Sequence, residues 1–142
     1  MNDFPKIDYQ KQLILAGLDD FYPNAALPHV LGGQFGSSPD LWRQAVIDFL
    51  CINVGVGMLE CVHRKEVSGE KGAILLRELL ISGDKENKID VEVLWNSLYF
   101  SATVNLDRML KEFELNNWDA FNFDVNCQFI ESLGKIYERQ VE

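Results

Sequence analysis

Histidine is nearly absent from this chain of 142 residues, which carries only His29 and His63. A protein-built zinc site needs about four ligands, and these two imidazoles, with three dispersed cysteines, do not gather them. Lysine and arginine are also short: 13 stand against 22 aspartates and glutamates, a formal net charge of −9. Such a surface repels nucleic acid and anionic membrane and favours basic partners. No apolar run is long enough to cross a bilayer without a charge or a glycine, and the N-terminus has no basic segment leading into an apolar one. The odd, widely spaced Cys51, Cys61 and Cys127 read as reduced thiols of a cytoplasmic protein, not as a disulfide framework. The motifs H-E-x-x-H and G-x-S-x-G, the EF-hand loop and the dinucleotide fingerprint do not occur. Gly32-Gly33-Gln34-Phe35-Gly36 lacks the lysine and the preceding strand of a phosphate loop. No catalytic residue, metal or cofactor is expected on these grounds.

What is present is a core. The chain is 47% hydrophobic, enough for one folded domain spanning residues 1–142. Residues 39–62 are its longest nearly uncharged run. Ser38 stands where an N-cap belongs and Pro39 at the first helical position. Leu41, Trp42, Ala45, Val46, Phe49, Leu50 and Ile52 then recur at helical spacing. Gly55 and Gly57 break the pattern, so the helix is expected to end near Asn53 or Gly55. A short extended segment over residues 58–63 follows, paired with residues 65–67 or with another edge.

Around this stretch the spacing predicts a first helix over residues 5–21 with Asp3 as cap. A loop covers residues 23–37, held by Leu27, Val30, Leu31 and Phe35. A helix on Ala73, Leu76, Leu79 and Leu80 ends at Gly83. Another, capped by Asp90, carries Val91, Leu94, Trp95, Leu98, Tyr99 and Ala102. A further helix is capped by Thr103 or Asn105, and a last one starts at Asn122. The fold class is mainly α: a single-domain bundle of five to six helices, with room for one short β segment around residues 58–67.

Chemistry is harder to find. Cys61 and His63 share a face if the segment is a strand, which leaves a thiol–imidazole pair open. Adjacent carboxylates such as Asp19-Asp20 read as solvated helix faces. Charge is uneven: residues 1–77 hold nine acidic and seven basic side chains, and residues 78–142 hold thirteen and six. Residues 112–124, EFELNNWDAFNFD, interleave four carboxylates with Trp118, Phe121 and Phe123. Acidic groups around aromatic anchors suit the docking of a basic protein. Glu112, Glu114, Trp118, Asp119, Phe121 and Asp124 are therefore the candidate partner-binding residues. The rival reading has the aromatics plug the core between two helices.

The chain resembles the small acidic cytosolic immunity proteins of bacterial toxin systems, including those of contact-dependent inhibition. The likeness lies in a short, acid-rich single domain without catalytic motif. It lies also in the phrase LWRQAVIDFLCINVGVGMLECV, a helix followed by a glycine break and a short apolar segment. It has no diagnostic motif and assigns no functional residue. The resemblance implies a non-enzymatic protein that binds a cognate basic toxin domain, often a nuclease, and blocks its active site or substrate surface. The acidic balance, for its part, argues against a nucleic-acid or membrane partner; a homodimer stays open. Two other readings stand beside it: an enzyme using the 23–37 loop with His29, or His63 and Cys61, and a helical adaptor or oligomeric scaffold.

Overall fold

The structure, a computed structural model, describes residues 4–141. It is mainly helical, as the sequence patterning predicts. Six α-helices occur among the described residues: α1 (Lys6–Leu18), α2 (Pro39–Gly55), α3 (Gly69–Ser82), α4 (Val91–Ser97), α5 (Val104–Glu112) and α6 (Cys127–Val141). Two short strands, β1 (Leu59–Cys61) and β2 (Phe100–Ala102), form an antiparallel pair with Leu59 opposite Ala102 and Cys61 opposite Phe100. Short 3-10 turns at Pro23–Ala25, Val30–Phe35 and Trp118–Asn122 complete the chain.

Helix α2 is the centre. Trp42, Val46, Phe49, Leu50 and Val54 are buried on it, and α3, α6, β1 and the Val30–Phe35 turn all pack against it. It ends where the two glycines predict. Gly57 takes a left-handed φ of 80°. The Gly57 and Met58 N–H groups donate back to the Val54 and Asn53 carbonyls at 3.2 and 2.8 Å, which satisfies the last turn and aims the chain into β1. Aromatic side chains fill the centre. Trp42 and Trp95 lie 5.9 Å apart, and Tyr9 meets Phe49 edge-on at 4.7 Å. Both indoles are buried with their N–H groups bonded, Trp42 to the Ala26 and Leu27 carbonyls and Trp95 to that of Leu80.

Several local expectations are corrected. The helix opened by Asp90 does not reach Ala102. It stops at Ser97, and Phe100 becomes extended because it is paired on both sides. Cys61 flanks it in β1, and Phe21 exchanges two backbone hydrogen bonds with it, at 2.8 and 3.1 Å. The same bridge takes Phe21 out of α1, which ends at Leu18. The strand partner of residues 58–63 is thus β2, not residues 65–67. The last helix is capped by Asn126, whose Oδ1 accepts from the Phe129 N–H at 3.0 Å, and not by Asn122. Thr103 does cap α5, accepting from the Leu106 N–H, while its hydroxyl donates to the Gly57 carbonyl at 2.6 Å. Asp3 lies outside the described residues.

Candidate functional site

Helix α5 closes at Glu112, and the chain turns through Glu114, which holds a left-handed φ of 57°. The Glu114 and Leu115 N–H groups donate to the Lys111 and Leu110 carbonyls at 3.1 and 2.8 Å. Here a glutamate occupies the place that glycine usually takes after a helix. A side chain there strains the backbone by about 1 kcal/mol or more. Leu115 then drops into the core. Asn117 opens the Trp118–Asn122 turn by accepting the Ala120 N–H at 2.9 Å, and Ala120 is fully buried. The far end is clamped by Gln10. Its Nε2 donates to the Asp124 carbonyl at 3.1 Å, and its Oε1 accepts from the Asn126 N–H at 2.8 Å.

This pinned segment displays what it does not bury. Trp118 is 58% exposed and Phe123 48% exposed. Phe121 is half-buried and packs against the core, with the Lys11 ammonium 5.9 Å from its ring centre. Glu112, Glu114, Asp119 and Asp124 are exposed. The six candidate residues therefore divide. Phe121 is the one that follows the core-plug reading, while Trp118 and the four carboxylates face water. A large aromatic on a fixed turn, in a segment that also exposes four carboxylates, can supply buried contact area at little ordering cost while the carboxylates attract a cation.

The thiol–imidazole pair does not assemble. β1 ends at Cys61, and His63 turns away into a left-handed φ of 65°, exposed. Burial pushes the Cys61 thiol up to about 11, with Arg64 opposing the shift, so near neutral pH it is a protonated thiol. Cys51 behaves alike, pushed up to about 11 by burial, again opposed by an arginine, Arg77. His29 is exposed on the 23–37 loop. Among the described residues, no three histidine, cysteine or acidic side chains converge as metal ligands.

The loop anchors are half right. Leu27 is buried and Val30 partly so, but Leu31 is half exposed and Phe35 is 91% exposed. Leu31, Gly32 and Gly33 all take positive φ, which winds the loop tightly and turns its tip outward. A second surface feature lies elsewhere on the molecule. Between α2 and α3 runs an open groove of about 650 Å³. Ile52, Ala73, Ile74 and Ile81 line it, and an Arg77–Asp48 ion pair of 3.1 Å closes one side. Ile74 is 74% exposed. The signal was available: α3 is apolar on more than one face, and a helix packed on one side must leave the remainder in water.

No protein-family model, curated protein or solved structure matches this chain.

Proposed function

We propose that this chain is an immunity-type inhibitor that docks a basic toxin domain, of nuclease type, through residues 112–124. The observation that carries the reading is Trp118: a large aromatic 58% exposed on a turn pinned by Leu115, Ala120 and Gln10. A large aromatic held partly in water on a fixed turn suits a hot spot. The four exposed carboxylates of the same segment speed encounter with a cationic cleft and take positions that substrate phosphates would hold. The strained backbone at Glu114 supports the same reading, since it keeps a carboxylate where glycine would relieve the chain.

The test asks whether a neighbouring reading frame encodes a basic toxin domain, and titrates that domain, purified, against the protein; a neighbourhood without one removes the proposal. Binding with loss of toxin activity is expected, and Trp118→Ala should raise the dissociation rate while leaving the fold intact. Absence of binding at micromolar concentrations removes the proposal. A second reading, a helical adaptor or scaffold, is favoured by the α2–α3 groove and its exposed isoleucines. A concentration-dependent dimer that Ile74→Glu dissolves would select it instead.

A further inference from the structure

Under the exposed turn lies a small cavity of about 80 Å³, bounded by α1, the 25–29 segment and Phe121. Gln12 lines it and is 3% exposed. Its Oε1 accepts the Leu27 N–H at 2.8 Å, which fixes the orientation of the amide. Its Nε2 has no hydrogen-bond partner in the protein. An amide NH2 left bare in the interior is costly, and native structures fill such positions with a water or a ligand.

The rest of the lining says what would fit. Asp8 and Lys11, both half-buried, line the same cavity. Neither takes part in an ion pair among the described residues. Leu15, Leu27 and Phe121 supply apolar wall. The two charges cancel, so the site favours neither an anion nor a cation outright. It offers donors on Gln12 and Lys11, an acceptor on Asp8, and the His29 imidazole, which can serve as either. At bulk density its volume holds on the order of three waters, the size of one planar head group.

We infer that this cavity is a receptor for a primary carboxamide, whose oxygen accepts from Gln12 Nε2 and whose NH2 is left to donate to Asp8. A carboxylate in the same place would meet the Asp8 charge, and an ammonium would meet Lys11 and the Gln12 donor. A carboxamide can come from a free small molecule or from an asparagine or glutamine side chain of a protein. Gln12, Asp8 and Lys11 lie on α1, while His29 and Phe121 complete the wall, so the site shares only Phe121 with the acidic turn.

The experiment follows the Gln12 side-chain NH2 and Leu27 amide resonances by NMR while acetamide, acetate and the peptides Ala-Gln-Ala and Ala-Glu-Ala are added to the full chain. Acetamide should give saturable shifts at millimolar concentration, as weak as so few atoms require, and should outbind acetate. Gln12→Glu keeps an acceptor for Leu27 and, at a pH high enough to ionise the buried carboxyl, removes the donor; acetamide should then bind about tenfold more weakly. Asp8→Asn, at a half-exposed position that spares the fold, should reverse the order and favour acetate. Tighter binding of Ala-Gln-Ala than of acetamide assigns the site to a protein side chain; exclusion of the peptide with binding of acetamide assigns it to a free molecule. Two results overturn the inference. One is a Gln12 NH2 that contacts only water and shifts with no probe. The other is equal response to acetate and acetamide that Asp8→Asn leaves unchanged.

Discussion

Tyr137 and Asn53 show how a single contact closes this core. The buried Tyr137 hydroxyl donates to Asn53 Oδ1 at 2.7 Å, and Asn53 Nδ2 donates to the Phe49 carbonyl at 2.8 Å. Tyr137→Phe keeps the ring and leaves the Asn53 oxygen without its partner, so it should cost about 1–3 kcal/mol. A urea midpoint equal to that of the parent protein would refute this. From the sequence Asn53 reads only as a helix end, because its partner lies 84 positions away and no local pattern links them. The cysteines were more legible. Cys51 and Cys61 sit in apolar stretches and are free and buried. Burial raises both thiols from the ordinary 9.0 to about 11. Below about pH 9 both states keep the proton and nothing changes. Between about 9 and 11 the unfolded chain releases protons that the native state retains, so stability should fall with pH, by at most about 1.4 kcal/mol per unit for each thiol. Burial also raises Tyr9 and Tyr137, which extends the loss above about pH 10. Urea midpoints at about pH 8 and about pH 10.5 measure the slope, and Cys51→Ala with Cys61→Ala should flatten its lower part.

Glycines separate elements that must touch from those that need not. A Cβ on Gly72, in the first turn of α3, would lie 2.6 Å from the Val67 backbone carbon, and backbone cannot swing aside as a side chain can. Gly72→Ala should therefore destabilise by about 1–3 kcal/mol despite alanine's better helix propensity. On α6, a Cβ at Gly134 meets nothing within 4 Å. Gly134→Ala should stabilise by about 0.5–1 kcal/mol. Thermal melts of the two variants should shift in opposite directions; a shared sign would mean that the helix packing is misjudged. Glu114 makes a third case. Glu114→Gly should relieve its left-handed backbone and stabilise by about 1 kcal/mol. If the carboxylate serves docking, the same change should slow association with the toxin domain, and a stabilised variant that associates at the parent rate would make the strain incidental. The helices were readable because their apolar spacing is local. β2 was not: three residues carry no period, and what holds Phe100 extended is Phe21 and Cys61, distant in sequence. Tyr99 and Ala102 happen to continue the apolar spacing of α4, so the sequence alone extends a helix that the fold ends at Ser97.

Net charge belongs to the whole molecule, and composition reports its size without its place. Residues 78–142 carry the excess, yet composition does not say which of these carboxylates share a segment with an exposed aromatic such as Trp118. Two explanations of steering then differ. Either the net charge of −9 attracts any cationic domain from every side, or the 112–124 patch guides it to one place. Replacing Glu112, Glu114, Asp119 and Asp124 by lysine changes both terms. Replacing Glu60, Glu66, Glu70 and Glu86, also exposed, changes the net charge equally and leaves the patch alone. Because all eight are exposed, six of the eight substitutions should move stability by no more than about 0.5 kcal/mol each, with the position after α5 and the first turn of α3 the exceptions. Under the proposed docking, the patch variant should bind a basic toxin domain about tenfold more slowly at low salt and lose most of its salt dependence, while the second variant should lose much less. Stopped-flow association at two ionic strengths separates them. Equal slowing in both would mean that the field of the entire surface does the steering and would remove residues 112–124 as the docking face, even if the toxin domain is the true partner. Slowing confined to the patch variant, together with faster dissociation of Trp118→Ala, would place encounter and hold on the same pinned turn.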